Sequence, residues 1–463
     1  MIDFTNIKGF YFVGAGGIGM SALALYFRKK GCDVAGYDRT SGPITANLEK
    51  EGCSVSYIDQ VDTIPLFFRR PESKDSIIVV FTPAIPADNK ILGFFRNNTY
   101  TVYKRSEILG AISMTTDTIA ISGTHGKTTI STMTAHILRQ SHVGCSAFLG
   151  GISKNYESNL LTGDSSYTVM EADEYDRSFL RLSPRIALVS ALDPDHLEIY
   201  GTHANMIAAY NEFCSKIRPG GILIYNRRLK GLVIHPERVT CMTYGTEPGS
   251  DYRCFDIEHR QGFYSFSLGS PAGELKDIHF PFPGIINIEN LTAAISISLN
   301  CGVTEEEIRA AAGSFTGVRR RFDIRVNLPG VTYIDDYAHH PEEIKAFITS
   351  VREYFGGRRI TGIFQPHLFT RTRDHAEGFA SILDELDEVI LLPVYPAREK
   401  PLAGVSSAMI FDRMRIKKKS MMELKDVPTE LDLKNIDVLV TIGAGDIDRL
   451  VAPLEAKLKQ EHK

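Results

Sequence analysis

Residues 121–132 read ISGTHGKTTIST, and whether they form a phosphate loop decides the fold built around them. A Walker A loop carries a glycine five positions ahead of the glycine of GK[ST]. Counted back from Gly126 that position is Ile121, so this is a different and shorter loop. The apolar run TIAIS before it and the helical pattern after it still make a strand, a glycine turn and a helix. The N–H groups from Gly123 through Thr124, His125 and Gly126 to Lys127 could wrap phosphate oxygens. Lys127 would neutralise charge on the β and γ groups, and Thr128 would offer its hydroxyl to Mg2+.

Two further strand ends point the same way. YTVMEADEYD places Glu171 and Asp173 just past an apolar run, and RIALVSALDPDHLEIYG places Asp195 and His196 past another. In an open parallel sheet such ends meet in one crevice, where ligands of these folds bind. Histidine is an unusual Mg2+ ligand, but a hydroxyl, a carboxylate and an imidazole converging there suit a phosphoryl site.

The strand–turn–helix pattern occurs three times: GFYFVGAGGIGMSALALYFRKKG, TIAISGTHGKTTISTMTAHILRQ and DVLVTIGAGDIDRLVAPLEAKLK. Strands alternating with helices imply mainly parallel sheets, so an α/β chain of three domains is expected. Boundaries fall near 108 and 316, giving 1–107, 108–316 and 317–463. In the first, Gly14, Gly16 and Gly19 of VGAGGIG match GxGxxG between strand and helix, a diphosphate-approach loop. Asp38 ends the next apolar run, where a ribose-binding acid would sit; taken alone this is an NAD signature.

Composition narrows the class. With 43% hydrophobic and 23% charged residues the chain reads as soluble and globular, and a net charge of -4 argues against a nucleic-acid binder. No apolar run approaches the ~18 residues of a membrane span. The start of the chain lacks a secretion pattern, and seven cysteines without a CxxC pair read as reduced thiols of a cytoplasmic protein. Oligomeric state, monomer or homodimer, is not specified by the pattern.

Toward the C-terminus, TYIDDYAHHPEEI brings Asp335, Asp336, Tyr337, His339 and His340 together after a strand. Adjacent histidines on an extended segment face opposite sides, which favours helix capping plus one substrate contact over joint metal ligation. In QPHLFTRTRD, His367, Arg371 and Arg373 would suit carboxylate recognition, since guanidinium forks grip carboxylates.

SGTHGKTT, EADEYDRSF, DPDHLEIYG, NIENLTAA, RRRFD, DDYAHHP and FQPHLFTRTRD together resemble the Mur ligases in order and spacing, over essentially the whole chain. The resemblance implies a Rossmann-like UDP-sugar domain, a P-loop-type ATPase domain and a Rossmann-like C-terminal domain that brings the amino acid. It implies an ATP- and Mg2+-dependent ligase of peptidoglycan synthesis that joins L-alanine to the carboxylate of UDP-N-acetylmuramate. A relative that adds a whole peptide in cell-wall recycling is the nearest alternative. By resemblance, Gly14, Ala15, Gly16, Gly17, Ile18 and Gly19, with Asp38 and the loop residues Thr82, Pro83 and Ala84, hold UDP-sugar instead of NAD. Gly123 to Thr129, Asn287, Asn290, Arg321 and Asp336 line the ATP site. Thr128 and Glu171 take one Mg2+ and His196 the second, while Tyr337, His367 and Arg371 surround L-alanine. Ile286 stands where the family usually has histidine. Several Mur relatives hold the second Mg2+ with a carbamylated lysine; here AAYNEFCSK offers only Lys216, two or three positions too late, so no carbamate is expected. The short link after EADEYD favours a single amino acid over a peptide, whereas Ala338 is a small step toward the peptide-adding relative.

Overall fold

The computed structural model describes residues 2–260, 263–397 and 399–462. The chain divides into two compact units: Met1–Glu258, Ser265–Phe280 and Glu289–Phe315 in one, and His259–Tyr264, Pro281–Ile288 and Thr316–Lys463 in the other.

The first unit holds two sheets. Five parallel strands lie in the order Ser54–Ser56, Asp33–Tyr37, Gly9–Val13, Ile77–Phe81, Thr101–Lys104. The central sheet is built on Asp117–Ser122, flanked by Ile186–Val189 and Tyr167–Glu171, both parallel to it. Ile222–Asn226 and Thr240–Gly245 extend it on one side, and Ser146–Ser153 with the antiparallel Ser158–Leu161 on the other. Ile119, Ala120 and Ile121 are fully buried, as expected of a parallel strand covered on both faces. Each of the two isoleucines contributes roughly 1.5–3 kcal/mol by leaving water.

One apolar core joins these two sheets. It runs from Phe10 and Phe12 through the helix Ile18–Lys29 to Phe148 and Met170. The Tyr26 and Phe148 rings meet at 5.2 Å, and the Asn159 amide donates to the Ile18 carbonyl. The boundary expected at 107/108 lies within the helix Arg105–Thr115.

The second unit carries a six-stranded sheet in the order Asp323–Leu328, Val331–Asp336, Val438–Ile442, Ile360–Phe364, Glu388–Leu391, Lys419–Met421. The first pair is antiparallel and the rest are parallel. The helices Pro341–Phe355 and Phe369–Leu383 start close after two of these strands, which sets residues 335–340 and 365–371 at the strand C-terminal ends. Among the described residues no helix is long and apolar enough to cross a membrane.

Gly123 is where the phosphate-type loop depends on glycine. Its φ is +130°, and a Cβ there would overlap Ser190 Oγ and approach the Ala191 N at 2.8 Å. Gly123→Ala is therefore expected to cost roughly 1–3 kcal/mol in backbone strain alone, measured by chemical denaturation; a variant as stable as the parent would refute the steric argument.

Candidate functional site

The strand Asp117–Ser122 delivers the loop, and Gly126, at φ 83°, turns it into the helix Lys127–Gln140. The loop is braced from the neighbouring strand end: the Thr124 N–H donates to the Ala191 carbonyl at 3.0 Å, and Ser190 Oγ donates to the His125 carbonyl. Thr124 Oγ1 accepts from the Asp193 N–H at 3.1 Å. Thr128 and Thr129 are buried in the first helical turn. A Cβ on Gly126 would come within 2.9 Å of Asn290 Oδ1, so the helix that carries Asn290 closes one side of the loop.

Lys127 folds back over this loop. Its Nζ donates to the Gly123 carbonyl at 2.6 Å and to Glu174 Oε1 at 2.8 Å. Burial opposes its charge, but the carboxylates of Glu174, Glu171 and Asp173 outweigh that and raise its pKa, so the ammonium is kept. Glu174 is 1% exposed; burial raises its carboxyl pKa and Lys127 pulls the other way. Its backbone carbonyl accepts the Tyr200 hydroxyl at 2.6 Å.

Around that pair stand the other expected acids. Glu171 ends its strand with the carboxylate packed where any Cβ on Gly150 would have to be. Asp173 Oδ2 is taken by Arg105 at 3.2 Å, and Asp173 Oδ1 accepts the Tyr175 N–H. His196 adopts a left-handed backbone, φ 50°, and its Nε2 lies 3.9 Å from Glu174 Oε1 and 3.7 Å from Asp195 Oδ2. The structure thus brings Lys127, Glu171, Asp195 and His196 into one neighbourhood. Lys216 pairs with Glu212 one helical turn back.

Glu174 was missed from the sequence. It stood in the EADE run, one residue past Asp173, and its burial against Lys127 depends on the fold around it; Asp176 and Arg177 just after it take left-handed backbone, φ 53° and 54°. Also missed was a charge cluster in which Arg228 is bonded by Glu289 and, at 3.1 Å, by Glu247.

In the first sheet, the glycine loop lies beside Thr82, whose Cγ2 is 3.1 Å from a Cβ built on Gly14. Pro83 and Ala84 are exposed in the same loop. Asp38 is turned onto this loop: its Oδ2 accepts the Gly16 N–H at 2.7 Å and Oδ1 the Thr40 N–H at 3.0 Å.

In the second unit, Asp336 is fixed by the Phe322 and Ala338 N–H groups at 2.7 and 2.8 Å. Arg320 and Arg321 lie over the Tyr337 ring at 5.1 and 5.2 Å. Tyr337, His339, His367 and Tyr395 form a chain of ring contacts at 5.4, 5.7 and 5.8 Å. Burial pushes the His339 pKa down to about 4, with Arg371 adding to the shift, so the ring is neutral at neutral pH. Glu343 Oε2 accepts the N–H groups of His339 and His340, which caps the helix Pro341–Phe355. Arg371 Nη1 is buried and has no hydrogen-bond partner. Arg373, expected beside it, instead pairs with Asp374 on the exposed face at 2.7 Å. Asn287 donates to the Pro283 carbonyl at 2.6 Å, and Ile286 is 44% exposed.

Three segments match known domains: 9–115 the Mur ligase family catalytic domain, 121–298 the Mur ligase middle domain, and 320–448 the Mur ligase glutamate ligase domain. The chain is 47% identical over 455 residues to UDP-N-acetylmuramate–L-alanine ligase of Phocaeicola vulgatus, covering 97% of this chain and 98% of that one. It is 47% identical over 459 residues to the same ligase of Porphyromonas gingivalis, covering 98% and 99%. Among solved structures it is similar to UDP-N-acetylmuramate-alanine ligase of Thermotoga maritima, with TM-score 0.82, 26% identity, and 98% and 100% coverage. It shares a fold with a murein peptide ligase of Psychrobacter arcticus at TM-score 0.71 and 20% identity, with 97% and 99% coverage.

Burial lifts the Asp336 carboxyl to about 6, against the counter-pull of Arg321. The folded protein therefore holds this proton more tightly than the unfolded chain does. The stabilisation is full below the unfolded pKa of 3.8 and is lost as pH rises through about 6. Stability of the parent relative to Asp336→Asn should fall by about 3 kcal/mol between pH 3.5 and 7; a difference flat with pH would show that Asp336 ionises normally.

Proposed function

The chain belongs to the Mur ligase family, and we propose that it joins L-alanine to the lactyl carboxylate of UDP-N-acetylmuramate with cleavage of ATP to ADP and phosphate. The observation that carries this reading is the 47% identity, over almost the full length of both chains, to ligases named for that reaction.

A carboxylate is a poor electrophile until one of its oxygens becomes a good leaving group. In the proposed sequence a carboxylate oxygen attacks the γ-phosphorus, ADP leaves, and an acyl phosphate results. The alanine nitrogen then attacks the acyl carbon, phosphate departs with the C–O electrons, and the amine proton is released. The first step brings two anions together. Lys127, positively charged and anchored on the loop, offsets that repulsion and stabilises charge on the transferring group. The loop N–H groups between Gly123 and Thr129 other than that of Thr124, which the Ala191 carbonyl holds, cradle the terminal phosphates, with Asn290 beside Gly126. Asn287, Arg321 and Asp336 are the nucleotide residues assigned to the second unit.

Mg2+ fits the donors present: Thr128 and Glu171 offer oxygens for one ion, and His196, next to carboxylates, a nitrogen for another. When bound it supplies countercharge to the phosphates and a Lewis acid for the developing charge.

On the acid-substrate side, Gly14 to Gly19 with Thr82, Pro83 and Ala84 receive the UDP diphosphate. Asp38 accepts the Gly16 N–H and so fixes the shape of this loop. On the amino-acid side, the spare Nη1 of Arg371 grips the alanine carboxylate, while Tyr337 and His367 wall the pocket. His339 is neutral beside Arg371, so the ring adds no charge of its own there. That arrangement holds a small zwitterion by its carboxylate and leaves the amine free.

The deciding experiment is phosphate release with ATP, UDP-N-acetylmuramate and single amino acids, compared with a free muramyl-type tripeptide. L-alanine should give the highest kcat/KM, with some leakage to L-serine and glycine, because one methylene is worth only roughly 1–3 kcal/mol of discrimination; preference for the tripeptide would overturn the assignment. In the same assay Arg371→Ala should raise KM for L-alanine far more than KM for ATP, and equal changes would remove Arg371 from the alanine pocket. Lys127→Ala and His196→Ala should each lower kcat by about 100-fold or more while the fold survives; near-normal turnover in a folded variant would refute that role.

A further inference from the structure

Beside Lys127, an oxygen of Glu174, an oxygen of Asp195 and a ring nitrogen of His196 all lie within 4.8 Å of one another. In an octahedral shell with ligands at about 2.1 Å, neighbouring ligand atoms are about 3 Å apart and opposite ones about 4.2 Å. The His196 Nε2 distances of 3.9 Å to Glu174 and 3.7 Å to Asp195 fall inside that range. Two carboxylates and one imidazole suit a divalent first-row cation such as Mn2+ as well as Mg2+.

Acidic clusters are common without an ion, and here Glu174 makes the difference. It is 1% exposed, and its Oε2 is buried with no hydrogen-bond partner. A bare carboxylate oxygen in the interior is costly and calls for a donor or a cation. Its other oxygen has one already, the Lys127 ammonium at 2.8 Å. Neighbouring acids do not substitute for Glu174. Glu171 is the residue given to the other ion, with Thr128, and Asp173 is engaged by Arg105 and the Tyr175 N–H.

We infer that Glu174, Asp195 and His196 form a divalent-cation site for which the Lys127 ammonium is the built-in competitor. With no nucleotide the lysine sits on Glu174 and neutralises it. When nucleotide phosphate draws the ammonium away, a cation takes its place, and its two positive charges match the two carboxylates. This rests on reading Gly123–Thr129 as the phosphate loop. It goes further by giving Glu174 and Asp195 a metal-binding part and by making the site's affinity depend on where Lys127 is. Loading of this position is thereby ordered: nucleotide first, cation second.

The test uses the full chain and Mn2+ alone, with free Mn2+ read by electron paramagnetic resonance at pH 8. Without nucleotide or acid substrate, Lys127→Met should bind one Mn2+ at least ten-fold more tightly than the parent, and adding Glu174→Gln should abolish the gain. Lys127→Arg, which keeps a cation on Glu174, should stay at the parent's affinity. With a non-hydrolysable ATP analogue, the parent should hold two Mn2+ and Glu174→Gln one; this measurement does not need the lysine variants to fold. A Lys127→Met protein that binds no more tightly than the parent, a gain that survives Glu174→Gln, or two Mn2+ retained by Glu174→Gln would each overturn the proposal. The nucleotide-free arm is independent of the ligase assay, so failure of the alanine reading and failure of the exchange are told apart.

Discussion

A partly buried ammonium and a buried carboxylate meet at the start of the helix Lys127–Gln140, and the rest of the first unit's chemistry depends on that contact. Either charge alone in that position would carry a desolvation penalty of several kcal/mol, and each is tolerated because the other is there. The surroundings hold both in place. The loop carbonyl of Gly123 takes a second Lys127 proton, and Tyr200 ties down the segment that carries Glu174. The lysine is therefore charged before any phosphate arrives, and its ammonium rests on Glu174 and the Gly123 carbonyl.

This end of the second unit is organised around neutral rings and the incompletely satisfied guanidinium of Arg371. The ring chain from Tyr337 to Tyr395 is apolar on its faces, and His339, buried beside Arg371, stays uncharged. A carboxylate arriving at Arg371 Nη1 meets a donor in a poorly hydrated setting, where a charge-assisted hydrogen bond is strong.

The parts of this arrangement legible in the sequence are those with local causes. A buried strand, a glycine turn and a helix announce the loop even though Ile121 breaks the standard spacing, because periodicity survives a change in loop length. The strand ends that deliver Glu171, Asp195 and His196 were equally plain. Glu174 was not, since its burial comes from a long-range partner, Lys127, 47 residues earlier. Arg373 was misjudged for a geometric reason. Once residues 369–383 are a helix, positions 371 and 373 lie about 200° apart, so only one of them can face a given ligand. Asp38 ends its strand as the apolar run indicates, but its bond to the Gly16 N–H, a partner 22 residues earlier, is a contact the strand pattern does not reveal.

The apolar core that continues from Phe10 to Met170 ties two sheets that look separable in the sequence. A fragment cut after the helix Arg105–Thr115 would expose the face carrying Tyr26 and lose the cover that Phe148 provides. The glycine-rich sheet is thus not an interchangeable cassette. Its folding is coupled to that of the phosphate-loop sheet, and heat should take both apart in one cooperative event.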